Sequence, residues 1–413
     1  MRLWVYVVRR IVLAIPVLIG VMTVLFVLVS ALPETQRACA FYAPSGRTSP
    51  CTSMIPCPDD PSRLCSNPVY QSAVETLGLN QPVTTQWAIY VVNSLTFNWG
   101  YVGQGTALGT GETGSGLPSL AGHSVTNILV TFLPYSLELL LLTFGIAFLV
   151  VVPLYSRATA RPGGFAENGS RALTVTGFGV SLIILGSLAL VGVTFALGGP
   201  ANPSTLCAGK STVFLDFYGS WPQPPCVPLY GTTNIGPVGY PNWLGLGYIS
   251  TPTGFPTVDA ALHGQLWLAL DTLLRMAIPA LLLALVAIGA FFRVIRYAPT
   301  ERLDLEFLRG ERARGLPEPK VFPRQARRPA LSASFTALVP AIPWVLANLI
   351  LVEMLFNLWG VGRIFSYAVV GGVRDWDFGV LFGTVLLFAI VMVVTDVLAN
   401  TLRGYLDPTA RLT

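Results

Sequence analysis

The sequence predicts an all-α integral membrane protein with six transmembrane helices, cytoplasmic N- and C-termini, and a disulfide-containing extracellular cap made by two insertions. Three observations predict it. Of 413 residues, 53% are hydrophobic and 11% charged, against roughly 25% charged in an ordinary soluble domain. Apolar runs long enough to cross roughly 30 Å of hydrocarbon recur along the chain. Basic residues and cysteines then fall on opposite sides of the runs, as the positive-inside rule and an oxidising exterior require.

The spans follow in order. Arg2, Arg9 and Arg10 flank an apolar run from Ile11 to Leu32, so residues 1–32 hold the first span with its N-terminus inside. The run is longer than the 7–15 residues of a signal-peptide core, which argues against cleavage after Val29-Ser30-Ala31. Residues 33–123 are rich in Gly, Pro, Ser and Thr, carry only Arg37, Arg47 and Arg63 as basic residues, and are expected outside. The second span is 124–155, with Pro134 placed to kink it, and the third is 172–197. Between them, 156–171 returns inside with Arg157, Arg161 and Arg171. A second outer segment, 198–264, has one basic residue, Lys210. Spans at 265–292, 331–356 and 378–402 complete the set, with an outer loop at 357–377 and an inner tail at 403–413.

Between the fourth and fifth spans, the inner loop 293–330 is the most basic stretch of the chain. It carries Arg293, Arg296, Arg302, Arg309, Arg312, Arg314, Lys320, Arg324, Arg327 and Arg328. Leu303, Leu305, Phe307 and Leu308 are spaced to give a short helix an apolar side, and Gly315 supplies a helix stop. The loop reads as an amphipathic knob presented to a cytoplasmic partner. The formal charge of +5 is not a nucleic-acid signal, because the excess lies on loops beside spans.

All six cysteines, Cys39, Cys51, Cys57, Cys65, Cys207 and Cys226, fall in the two outer segments. An even count confined to the outside reads as structural disulfides. Cys207 pairs naturally with Cys226, and the other four allow three pairings. A zinc site lacks Cys-x-x-Cys spacing and nearby His, so no metal is expected.

Catalytic signatures are missing from the sequence. It has no Gly-rich phosphate loop ending in Lys-Ser/Thr, no Gly-x-Ser-x-Gly elbow, no His-Glu-x-x-His pair, and only two histidines, His123 and His263. No enzyme activity and no cofactor of its own is expected. Glu138, Asp271, Glu353 and Asp396 lie within or beside spans, where an acid is a functional candidate by default. No span holds two acids placed for a relay, so each is read as lying near a helix end or pairing with a neighbour.

Several stretches carry a family resemblance. RRIVLAIPVLIGVMTVLFVLVSALP from Arg9, LGLNQPVTTQWAIYVVNSLTFNWGYV from Leu77 and FLPYSLELLLLTFGIAFLVVVPL from Phe132 are the first three. The strongest are ARGLPEPKVFPRQARRPAL from Ala313, LVEMLFNLWGVGRIFSYAV from Leu351 and VTDVLANTLRGYLDPTAR from Val394. The chain resembles the first permease subunit of dipeptide/oligopeptide-type ABC transporters.

The resemblance implies an importer subunit that forms half of a translocation pathway for peptides or oligosaccharides. A second homologous permease would supply the other half, one or two ABC ATPase subunits would hold ATP and magnesium, and an extracellular binding protein would deliver substrate. The basic loop would then carry the EAA-type coupling motif, over Leu305, Phe307, Leu308, Arg309, Gly310, Glu311, Arg312, Ala313, Arg314, Gly315 and Leu316. With Gly315 as the motif glycine, the EAA triplet falls on Arg309, Gly310 and Glu311, none of which matches the consensus. Pro317, Pro319 and Pro323 are also unusual after that glycine. Gly360 and Gly362 match the family's Phe-x-x-Pro-Gly-x-Gly-Arg pattern, with Trp359 in place of the Pro, and would let the loop after the fifth span fold back toward the pathway. Glu34–Tyr70 and much of Gly198–Thr257 are extra relative to the family. The alternative, a secondary transporter, would show inverted repeats and paired intramembrane charges, and neither is visible.

Overall fold

The computed structural model describes residues 3–41, 53–57, 62–103, 108, 120–160, 165–179, 181–196, 253–262, 264, 266–295, 341–356, 358, 360–369 and 376–406. They form a helical body. In chain order the helices are α1 (Leu3–Ser30), α2 (Glu34–Phe41), α3 (Pro68–Leu77), α4 (Val83–Leu95), α5 (Val125–Ala160), α6 (Phe165–Gly179), α7 (Leu182–Ala196), α8 (Pro256–Leu262), α9 (Leu266–Ile295), α10 (Ala341–Leu355), α11 (Val361–Ala368) and α12 (Phe378–Leu406). A two-stranded antiparallel hairpin, β1 (Met54–Pro56) and β2 (Leu64–Ser66), lies between α2 and α3. This is the one departure from an all-α class among the described residues.

Val8–Ser30 of α1, Val125–Leu154 of α5 and Phe378–Ala399 of α12 are long and apolar enough to cross a membrane by length and composition. Over the 172–197 run the described residues form two helices, α6 and α7, bent by 97°, the geometry of a broken span or a re-entrant loop. Gly179 ends α6, and Ser181 stands just before α7. Two shorter apolar stretches, Met276–Phe292 of α9 and Ile342–Leu355 of α10, pack inside the body.

Side-chain spacing explains the packing. On α1, Met22, Leu25, Phe26 and Val29 are buried, which is one helical stripe. Val5, Val8, Ile11, Val12 and Ile15 are exposed large apolar residues on the same helix. That is stable when the solvent is lipid, because every backbone group of a helix is bonded internally. Pro134 and Pro153 sit inside α5, as membrane helices tolerate. Gly177 brings the α6 backbone against α9: a Cβ there would collide with the Leu285 carbonyl oxygen and lie 3.2 Å from Gly289 Cα.

Two apolar cores result. One joins α5, α7, α9 and α10, with Phe291, Leu283, Val345 and Leu349 at its centre. The other joins α1, the 99–102 segment, the first turns of α5, α11 and α12, around Ile128, Phe132, Val361 and Ile364. α5 runs through both.

Beside the second core, α2–α4 and the hairpin form a small layer. Cys57 and Cys65 are disulfide-bonded across the hairpin, with Ile55 opposite Cys65. Of the cysteine pairings open in the sequence, this one is therefore formed. The side chain of Cys39, and Cys51, Cys207 and Cys226, lie outside the described residues. Asn67 caps α3 through Val69 N, with Pro68 at the first helical position. Gly78 closes α3 at φ 64°, a left-handed conformation in which a side chain is strained. Gln86 then fixes the α3–α4 turn by donating to the carbonyls of Leu79 and Gln81 at 2.9 and 2.8 Å.

The disulfide closes a separation of only 8 residues. Cys65→Ser is expected to lower hydrogen-exchange protection of the hairpin by about 2–3 kcal/mol and to leave the helical body unaltered. Equal loss of protection in α9 and α10 would show that the hairpin is not an independent unit.

Candidate functional site

The site grows from one carboxylate. Glu353 lies in the last turn of α10 and is 1% exposed. A buried carboxylate is costly unless donors surround it. Here they come from two other elements. Ser136 Oγ, on α5, donates to Glu353 Oε1 at 2.7 Å. Gly362 N and Arg363 N, in the first turn of α11, donate to Oε2 at 2.7 and 3.3 Å. Ser136 Oγ in turn accepts from Val361 N at 2.9 Å.

The first three N–H groups of a helix have no partner within it. In α11 these belong to Val361, Gly362 and Arg363, and each is taken up by Ser136 or Glu353. The next, Ile364 N, makes the first bond of the helix turn to Gly360 O at 3.2 Å. The positive end of the helix dipole thus meets a negative side chain, the favourable arrangement. α11 is capped by residues from two distant helices rather than by its own sequence.

The geometry also explains two glycines. Gly360 is extended, at φ −139° and ψ −178°, so its backbone suits any residue. Space is what excludes others. A Cβ at Gly360 would lie on both carboxylate oxygens of Glu353, and one at Gly362 would come within 2.6 Å of Ile350 Cα and 2.8 Å of Glu353 Oε2.

Beyond the clamp, α11 holds a buried cation. Arg363 is 2% exposed. Its Nη2 donates to the Tyr367 hydroxyl at 3.0 Å, and its guanidinium lies 5.3 Å from the Tyr367 ring centre. The far end of α11 is tied to α12, because Asp377 N donates to Ala368 O at 3.0 Å. Asp377 is the N-cap of α12: Oδ1 accepts from Val380 N, and Oδ2 from Gly103 N, each at 3.0 Å. Glu138, two residues past Ser136 on α5, repeats the theme on a smaller scale. Its Oε2 accepts from Thr257 N at the start of α8, at 3.3 Å.

No nucleophile–base pair forms in this cluster. Its chemistry is mechanical: it locks α5, α10, α11 and α12 into one body. The acids singled out in the sequence divide accordingly. Glu353 lies near the end of its own helix and Glu138 inside α5, and each accepts from the start of a short helix, while the side chain of Asp271 lies outside the described residues. Gly360 and Gly362 do open a fold-back, in that α11 packs against α5, α10 and α12. Trp359 and the coupling residues Leu305, Phe307, Leu308, Arg309, Gly310, Glu311, Arg312, Ala313, Arg314, Gly315 and Leu316 lie outside the described residues. Ser136, Tyr367 and the Asp377–Gly103 contact escaped the sequence reading, where Arg363 stood only as the last residue of the family pattern. Only Asp377 had a usable signal there, an Asp immediately before an apolar helical run.

Comparison with known proteins adds a frame to this geometry. The family model described as "binding-protein-dependent transport system inner membrane component" matches residues 150–412, a stretch that contains Glu353, the glycine pair, Arg363 and Asp377. The chain is 26% identical over 356 residues to the probable D,D-dipeptide transport system permease protein DdpB of Escherichia coli K12, covering 85% of this chain and 88% of that protein. It is 22% identical over 412 residues to the di/tripeptide transport system permease protein DppB of Pseudomonas aeruginosa, covering 98% of each. A third relative, the peptide transport system permease protein SapB of Salmonella typhimurium, is 21% identical over 296 residues, or 71% of this chain and 79% of that one.

The clamp makes a quantitative prediction. Ser136→Ala, which strands Val361 N, and Glu353→Gln, which replaces one acceptor oxygen by a donor, should each cost about 1–3 kcal/mol. Combined, they should show a coupling of about 0.5–3 kcal/mol in thermal unfolding of the detergent-solubilised chain. Gly362→Ala should cost more than about 3 kcal/mol, because the atom it meets is fixed backbone. Additive effects of the first pair would mean that the two side chains do not act as one clamp.

Proposed function

The chain belongs to the family of binding-protein-dependent transport system inner membrane components, and from that premise we propose that it is a permease subunit of an ATP-driven ABC importer that passes peptides. Membership makes it a multi-pass protein of the inner membrane and a transport component. The finer reading is supported by three relatives of considerable coverage, all named for dipeptide, di/tripeptide or peptide transport. That convergence carries the choice of peptide over oligosaccharide.

In this reading the chain crosses the membrane six times. α1, α5, the α6–α7 pair, α9, α10 and α12 are the spans, and both termini are cytoplasmic. Residues 33–123 and 198–264 stand outside, where the hairpin and its disulfide form part of a cap facing the substrate-binding protein. Loop 293–330 stands inside and docks one of the ATPase subunits through Leu305–Leu316. A second, homologous permease completes the pathway, and ATP and magnesium belong to the ATPases.

Coupling then has a physical route. The loop joins α9 to α10, so closure of the ATPases displaces the inner end of α10. A rigid helix transmits that displacement to Glu353 at its other end, and the clamp passes it to α11 and α5. Packed bodies of this kind switch between discrete arrangements rather than deforming continuously.

The test is co-purification of the tagged chain from its native host with mass spectrometry of its partners, paired with uptake of a labelled dipeptide. Glu311→Ala, Arg314→Ala and Gly315→Pro should weaken ATPase recovery and uptake together while leaving the second permease bound. A stable homo-oligomer with no ATPase would overturn the importer reading. Recovered ATPases with no peptide uptake would overturn the peptide assignment alone.

A further inference from the structure

Apart from the clamp, the structure holds a cavity of about 250 Å³ where the outer layer meets α1 and α12. Its floor is apolar, formed by Phe26 and Val29 from the last turns of α1 and by Phe382 and Leu386 from the first turns of α12. These four positions lie within the outermost turns of two membrane-spanning stretches, Val8–Ser30 and Phe378–Ala399. Its rim is polar, with Arg37, Gln86, Asn93 and Asn98 among the lining residues.

Arg37 gives the rim its character. One side of its guanidinium is held, because Nη1 donates to Gln86 Oε1 at 3.1 Å. Gln86 is itself anchored, with its amide nitrogen donating to the carbonyls of Leu79 and Gln81. The Arg37 Nε is buried and has no hydrogen-bond partner among the described residues. A guanidinium carries five donors in a rigid fork suited to carboxylate or phosphate, and a buried donor left unpaired is costly. Tyr90, which also lines the cavity, contributes no charge: burial pushes its hydroxyl up to about 12 against a smaller opposing effect of a hydrogen bond with Ser94. Glu34, one turn before Arg37, instead accepts from the Tyr70 hydroxyl at 2.9 Å.

An apolar floor at the membrane boundary beneath a fixed cation matches one ligand class. We propose that this cavity is a binding site for an anionic phospholipid, with an acyl segment against Phe26, Val29, Phe382 and Leu386 and the phosphate at Arg37. The apolar lining comes from two membrane-spanning helices and the polar lining from the outer layer, so an acyl segment and a headgroup would each meet matching chemistry. A bound lipid would add to the contacts that join the outer layer to the first and last spans, among them the Trp87 Nε1 to Thr23 Oγ1 bond at 3.1 Å and the Phe26–Tyr90 ring contact. The inference stands on the cavity and not on the peptide assignment, and it holds whichever leaflet the layer faces.

Native mass spectrometry of the full, delipidated chain tests it, titrating phosphatidylglycerol, phosphatidylcholine and water-soluble glycerophosphoglycerol separately. Wild type should retain one phosphatidylglycerol more tightly than phosphatidylcholine and should not retain the headgroup alone. Arg37→Gln should weaken that adduct about tenfold, the effect of losing one charge-assisted hydrogen bond. Arg37→Lys should restore part of it, and Asn93→Trp should block it by filling the rim. A phosphatidylglycerol bearing a photoreactive acyl chain supplies a readout on the unmodified protein, with labelling expected on α1 and α12 at the floor. Unchanged affinity in Arg37→Gln and Asn93→Trp, equal retention of the two lipids, labelling confined to other helices, or binding of the headgroup as tight as the lipid would each overturn the proposal.

Discussion

A carboxylate and a helix N-terminus are both expensive to bury, and this fold buries them against each other. Glu353 alone in the body would lack donors, and the first N–H groups of α11 alone would lack acceptors. Together, with Ser136 between them, they remove most of that cost, and the arrangement is possible only if three elements meet at one point. Much of the rest depends on the meeting. The glycines at 360 and 362 exist to let it close, α11 is oriented by it, and the second core can form only with α11 laid between α5 and α12. The site is therefore better described as a joint than as a pocket.

How much of this was legible in the sequence follows from what each feature depends on. Spans announce themselves because twenty apolar residues in a row have few other uses, and the helices appear where the runs are. The disulfides were legible as a class and not as pairings, because pairing depends on the geometry that brings Cys57 opposite the strand carrying Cys65. Gly360 and Gly362 stood out by pattern, but the reason for them did not, since it lies in the position of Glu353 and Ile350. Ser136 carried no signal: a serine in an apolar run usually bonds to the carbonyl one turn back, as Thr143 does at 2.7 Å with Leu139 O. The break between α6 and α7 was hidden for the opposite reason. Hydropathy continues from α6 into α7, whereas the close approach of α6 to α9 at Gly177 is visible only in three dimensions.

The two cores divide the labour. One, built on α9 and α10, is packed from small and branched apolar residues and holds the helices that loop 293–330 connects. The other contains the clamp's neighbours, with tryptophan, tyrosine and backbone segments woven between helices. α5 belongs to both, and its Ser136 and Glu138 each grip the start of a short helix. α5 and, through Glu353, α10 are the helices that physically link the two cores.

The pairing of α1 with α12 bears on the order of assembly. The buried stripe of α1, from Met22 to Val29, is covered by α12 and α4. α12 follows every other described helix in the chain, and chains fold from the N-terminal side during synthesis. Until α12 is made, the part of that stripe it covers lacks its native partner. The second core is the part of the molecule that must wait. A chain halted between Leu358 and Phe378 would hold the buried residues of its first core but leave α1 without the cover of α12, a ready mark for membrane quality control.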